Sequence, residues 1–166
     1  MGYESFTKKF VLPVNFRPPN ELTFEDLIAK PLARVDLKAD LEAVNSSIEI
    51  IQKTRGGLWP TEELEEDFDL LDLAWHEREF RDNSSFSYAV YDKTDVYIGC
   101  FYLYPMGHRT TLTDETIEYD VDVSWWVTTK AYSDGYYSKL YAGLRKWLEK
   151  DFPFKKIYYS NKEIPS

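Results

Sequence analysis

Asp120-Val-Asp-Val-Ser-Trp-Trp-Val-Thr-Thr-Lys-Ala-Tyr-Ser-Asp-Gly-Tyr-Tyr-Ser-Lys-Leu140 decides how the rest of the chain is read. It predicts a strand, a polar loop and the first turn of a helix. Strand side chains alternate between faces. Tyr119, Val121, Val123, Trp125 and Val127 therefore share one face, built for a core. Glu118, Asp120, Asp122, Ser124 and Trp126 share the other, with three carboxylates in a row. After Ser133, Asp134 and Gly135, a helical stripe runs through Tyr137, Leu140, Tyr141, Leu144 and Leu148. The first N–H groups of such a helix and its dipole favour a bound anion, typically a phosphate.

Working outward, Lys156 to Ser160 reads as a last strand after Phe152-Pro-Phe154 ends the helix. A strand–helix–strand run is a right-handed parallel crossover by default. Upstream, 86–91 and 96–104 read as a hairpin around Asp92-Lys-Thr-Asp95, followed by a polar loop to Asp114. Further upstream are two amphipathic helices. Asp36 caps the first, with Leu37, Leu41, Val44, Ile48 and Ile51 inward and Gly56-Gly57 as its stop. Thr61 caps the second, with Leu64, Phe68, Leu71 and Trp75 inward and an acidic outer face. Phe24 to Leu32 is a first strand, and 1–23 an extended arm with Pro13, Pro18 and Pro19.

The 166 residues suit one domain, here 1–166, with a real core. A net charge of −9 argues against a general grip on nucleic acid or anionic lipid. Cys100 is alone, so neither an internal disulfide nor a cysteine zinc site is expected. No apolar run approaches the roughly 20 residues of a membrane span. No signal-peptide core opens the chain, and Phe6 stands where a myristoylation signal after Gly2 needs Ser or Thr. A cytoplasmic protein is the expectation.

This order of elements, over about residues 24–161, resembles the GNAT family of N-acetyltransferases. The segments that carry the resemblance are Val123-Ser-Trp-Trp-Val127 and Tyr132-Ser-Asp-Gly-Tyr-Tyr137. The resemblance implies an α+β fold with a mixed central sheet flanked by helices. It implies acetyl-CoA as cosubstrate and a small-molecule amine as acceptor. The strand-end backbone at Trp126, Val127 and Thr128 would take the pantetheine arm. Ser133, Asp134, Gly135 and Tyr136 would hold the pyrophosphate, and Asn161 would assist. Only Gly135 matches the family's phosphate-loop pattern; Tyr132 and Tyr137 replace its polar and small residues. The family's last helix and strand pair are lacking.

Asp122 is the expected general base, its pKa raised by Asp120 and Glu118 on the same face. A solvent-facing acidic stripe is the alternative. Tyr158 or Tyr159 is an acid candidate or core packing. Asn161 is a cofactor ligand or a turn residue. Trp59 lines an acceptor pocket or closes a turn. His76 and His108 read as structural or surface residues, and no metal site is expected. The competing functional reading is a non-catalytic module that keeps the fold and uses its aromatic cleft for another ligand or for a homodimer.

Overall fold

The computed structural model describes residues 6–166. The first five residues of the expected arm, Gly2 among them, lie outside the described residues. Among the described residues, six strands form one sheet in chain order: β1 (Leu22–Phe24), β2 (Leu27–Pro31), β3 (Phe86–Tyr91), β4 (Tyr97–Tyr104), β5 (Val121–Val127) and β6 (Ile157–Tyr159). The first five run antiparallel, and β6 joins β5 in parallel. The sheet is therefore mixed, as the sequence predicts. The helices are α1 (Leu37–Asn45), α2 (Ile48–Thr54), α3 (Glu66–Arg81), the short α4 (Thr129–Ser133) and α5 (Tyr136–Lys150). After β6, the described residues contain no further helix or strand. No helix among the described residues is long and apolar enough to cross a membrane.

Both faces of the sheet are covered. α5 packs Tyr137, Leu140 and Leu144 against Val123 and Trp125 on one side. Val44 of α1, Ile51 of α2 and Leu73 of α3 pack with Trp126 and Cys100 on the other. All seven residues of β5 are buried, so the solvent-facing alternative fails for Asp122, while Glu118 before the strand is exposed. A strand covered by helices on both sides has no wet face. The arm lies on the α5 side: Phe10 stacks on Phe86 at 5.6 Å, and the Tyr88 hydroxyl donates to the Pro19 carbonyl at 2.7 Å.

Three local expectations change. The expected strand at 24–32 is a hairpin, because Glu25-Asp26 forms the two-residue turn between β1 and β2, with Glu25 left-handed at φ 51°. The first expected helix breaks at Ser46-Ser47. There the Ser46 hydroxyl bonds back to the Ala43 carbonyl and Ser47 Oγ accepts the Thr129 N–H, local and tertiary bonds that compete with the helix ladder. Asp36 stands at the N-cap position of α1, as expected, but its carboxylate makes no bond to that helix and instead accepts the Ala33 N–H of the preceding turn at 2.9 Å.

α3 starts at Glu66 rather than after Thr61, and its Phe68, Leu71 and Trp75 stripe faces out, with Phe68 61% and Trp75 53% exposed. The buried face carries Asp69, Leu73 and His76. His76 Nδ1 meets Ser87 Oγ at 2.9 Å. Asp69 lies against Asp40 of α1, whose Oδ1 accepts the Tyr97 hydroxyl. Polar partners on α1 and β3, absent from any helical-period argument, select the inward face.

Burial, and then Asp69, push the Asp40 carboxyl well above its ordinary value of 3.8. A raised acid binds its proton more tightly in the folded state. The fold is therefore penalised as pH rises above the unfolded value, and the penalty disappears as pH falls toward 3.8. Asp40→Asn keeps an acceptor for Tyr97 and offers Asp69 a permanent donor. We expect its melting temperature to exceed wild type by a few degrees at pH 7, about 1 kcal/mol for a domain of this size. The gain should close by pH 4; a thermal melt series across pH reads it.

Candidate functional site

β5 and β6 pair only from Val121↔Ile157 to Val123↔Tyr159, flanked by bonds from Asp120 N–H to the Lys156 carbonyl and from Ser160 N–H to the Val123 carbonyl. The strands part there. Trp125 is next along the same edge, and its backbone is met by a side chain instead of a strand. Asn161 Oδ1 accepts the Trp125 N–H at 3.0 Å, and Asn161 Nδ2 donates to the Trp125 carbonyl at 2.9 Å. Asn161 is buried, as these bonds require.

Val127 follows. Thr128 N–H bonds to the Ile98 carbonyl, and Val127 faces Gly99 across the ladder. In an antiparallel ladder that makes Gly99–Val127 a non-hydrogen-bonded pair, so Val127 turns its own N–H and C=O toward the β6 side. Neither group meets a protein partner among the described residues. By the same alternation, Trp126 spends its backbone groups on Cys100. Of the three strand-end residues expected to hold a pantetheine, only Val127 has both groups free.

The chain then makes α4, capped by Thr128, whose side-chain oxygen accepts the Ala131 N–H. Gly135 leaves α4 in the left-handed region at φ 86° and opens α5 with no side-chain cap. Open space lies where its Cβ would be. The N–H groups of Tyr136, Tyr137 and Ser138 find no backbone acceptor among the described residues. The Asp134 carboxylate accepts the Lys130 ammonium at 2.9 Å, so the acidic residue of this loop is partly offset. Ser133 sits exposed at the end of α4 and donates to the Thr129 carbonyl. Tyr136 reaches away from its own N–H to Asp26 at 2.6 Å, where Lys139 also binds.

The Tyr137 ring does not cover the helix N-terminus. It stacks on Trp125 at 5.1 Å, and its hydroxyl bonds to the carbonyls of Glu163 and Thr54. Beyond Asn161, Lys162 N–H bonds to the Arg55 carbonyl and Glu163 N–H to the Thr54 carbonyl. The Tyr132 hydroxyl donates to Glu163 Oε2 at 2.8 Å. Residues 161–163 thus bridge the end of α2 to the start of α5.

Asp122 lies on the opposite face of β5, fully buried. Its Oδ2 accepts the Thr110 N–H at 3.1 Å, and its Oδ1 has no donor. The other two carboxylates of the expected row lie elsewhere. Asp120 accepts the N–H groups of Lys155 and Lys156, and Glu118 pairs with Lys156. Burial pushes the Asp120 carboxyl up, but those N–H bonds outweigh it and leave the group below its ordinary value. Tyr158 packs on Tyr119, and Tyr159 packs against Trp125 and Tyr141, where burial raises its hydroxyl to about 12.

Near Asp122 opens a cavity of about 280 Å³ walled by Arg55, Trp59, Tyr102, Tyr104, His108 and Arg109, with His76 and Asp72 at its side. The sequence reading placed Trp59 here as one of two alternatives. It missed both arginines and took the histidines as bystanders. Arg55 and Arg109 lie 54 residues apart and meet through Arg109 Nη2 donating to the Arg55 carbonyl at 2.8 Å. No local pattern encodes that meeting; the one signal was an arginine directly before Gly56-Gly57.

No family model matches the chain, and no curated protein matches it. Solved structures do. The ribosomal alpha-N-protein acetyltransferase RimL in complex with coenzyme A superposes with a TM-score of 0.60 at 11% identity, over 80% of this chain and 70% of that one. The chain has the GNAT fold. A GNAT-family acetyltransferase from Bacillus anthracis gives 0.54 at 14% identity, over 79% and 67%. A spermidine N-acetyltransferase chimera built from Vibrio cholerae and hSSAT proteins gives 0.52 at 19%, over 80% and 69%.

For a coenzyme A in this GNAT fold, the residues present fit at two points. Val127 offers free strand-edge groups, and the N-terminus of α5 offers free N–H groups behind an unobstructed Gly135. Between these points the edge at Trp125 is already satisfied by Asn161. Asn161→Ala strips Trp125 of both partners. We expect urea unfolding to show a loss of about 1–3 kcal/mol, the cost of leaving buried backbone groups unsatisfied.

Proposed function

We propose that the protein is an acetyl-CoA-dependent N-acetyltransferase acting on a small amine. The observation that carries this is the free backbone of Val127 at the parting of β5 and β6, followed by the uncapped N-terminus of α5. Val127 would hold the pantetheine arm. The N–H groups of Tyr136, Tyr137 and Ser138, with Lys130 and Lys139 nearby, would hold the phosphates. When bound, acetyl-CoA supplies an activated acetyl thioester.

The chain's own residues would then position and deprotonate the amine. The amine would enter from the cavity walled by Trp59 and Tyr104. Asp122 Oδ1, buried behind the cavity wall and without a donor, would take its proton through an intervening water. An Asp122→Asn variant, assayed with an amine that turns over, should lose about 10²-fold at pH 7. The loss should shrink as pH rises, because the amine then arrives neutral. An unchanged rate at pH 7 removes Asp122 from the chemistry.

A second reading, a non-catalytic module, is favoured by the Asn161 bracket and by residues 161–163 lying across the start of α5. Calorimetry separates the two. The enzyme reading expects weak, salt-sensitive heat from CoA and acetyl-CoA. Asp134→Lys should tighten binding a few-fold, the effect of one exposed charge beside an anion. No heat at millimolar ligand in either protein favours the module.

A further inference from the structure

We propose that the cavity beside β5 binds a small molecule through an oxyanion, a carboxylate or phosphate, held between Arg55 and Arg109. The proposal rests on the acetyltransferase reading only where it makes this ligand the amine acceptor; the anion site stands on its own geometry.

Arg55 is only 6% exposed. Its Nε donates to Ser124 Oγ at 3.2 Å, and its guanidinium lies 4.4 Å over the Tyr102 ring and 5.7 Å from the Trp59 ring. Those contacts fix its plane without neutralising it. Among the described residues, no protein acceptor meets its terminal nitrogens, and no carboxylate oxygen lies within ion-pair distance of either arginine. A buried, unpaired guanidinium is costly to maintain. The fork it presents suits a carboxylate or phosphate edge.

Arg109 is held beside it. Nε donates to Ser160 Oγ and Nη2 to the Arg55 carbonyl, which leaves Nη1 without a protein acceptor. Gly57, left-handed at φ 86°, makes room for it: a Cβ there would stand 3.0 Å from Arg109 Nη1. Burial, and then the like charge of Arg55, lower the pKa of Arg109. An anion between the two guanidiniums relieves that repulsion.

The acids near this pair form no ion pair with it, although the Asp122 carboxylate offsets part of the charge on Arg109. Asp72 pairs with His76 Nε2 at 3.4 Å, and Asp122 is held by the Thr110 N–H. In a chain of net charge −9, two adjoining arginines without a directly paired carboxylate are a local exception. Apart from Leu58 and Asp72, the remaining walls are flat rings, among them Tyr104 and His108 with centroids 4.4 Å apart. The volume of about 280 Å³ limits the ligand to roughly one ring or a short chain.

Calorimetry on the full chain without CoA tests this, with benzoate, inorganic phosphate and benzylamine as probes at constant ionic strength. We expect saturable heat from benzoate, from phosphate or from both, and none from benzylamine. Benzoate alone assigns the site to carboxylates; phosphate alone assigns it to phosphates. Arg109→Gln should weaken the anion about tenfold or more, whereas Arg145→Gln, which removes an exposed guanidinium on α5, should leave the affinity unchanged. A thermal melt checks that the variant is folded; should it fail, Gly57→Ala displaces Arg109 without removing it and should weaken the anion in the same direction. No heat from either anion at millimolar concentration, equal binding of benzylamine, or undiminished affinity in folded Arg109→Gln or Gly57→Ala overturns the proposal. Because CoA is absent from every arm, failure of acetyl transfer leaves this result standing. Turnover of amines that bear no acid, without anion heat, overturns the anion site alone.

Discussion

A side-chain amide acting as one more residue of a strand holds the middle of this molecule together. β6 stops pairing at Tyr159, yet Trp125, two residues further along β5, is buried and needs partners for both backbone groups. Asn161 supplies them with one acceptor and one donor, the pair that a neighbouring strand would offer. Its Nδ2 also reaches the Tyr137 hydroxyl, so the same residue ties β5 to α5. Because the bracket is a side chain, it ends where the amide ends. Val127 is left with an open edge, and the site described above begins there.

The second constraint is that β5 is buried on both faces. One face is apolar and packs on α5. The other carries Asp122, Ser124 and Trp126 into contact with the α1–α3 side, where each needs a particular partner. Trp126 donates to the Tyr102 hydroxyl, Ser124 accepts Arg55, and Asp122 accepts Thr110. That network positions Arg55 and therefore the cavity. The aromatic and cationic walls follow from satisfying a polar face inside a core.

The sequence made the strand–loop–helix centre, the hairpin and the parallel last strand legible because each rests on a local period or a turn signal. It also indicated that Tyr137 belongs to the apolar stripe of α5. It misled at α3, where Phe68, Leu71 and Trp75 satisfy a helical period as well as Asp69, Leu73 and His76 do; only Asp40 and Ser87 decide between them. It misplaced the acidic row, because Glu118 and Asp120 precede the strand and turn to Lys155 and Lys156. Asn161 was picked out, but its bond to Trp125 spans 36 residues and has no local trace. The paired arginines were invisible for the same reason.

The outward Phe68, Leu71 and Trp75 have a colloidal consequence. They form an apolar row on a helix whose first turn is acidic, in a chain carrying nine excess negative charges. In dilute neutral buffer, like charge keeps such rows on separate molecules apart. Salt shortens the reach of that repulsion, and acid removes its source. The protein's solubility is therefore set less by how much apolar surface it shows than by the field that surrounds it.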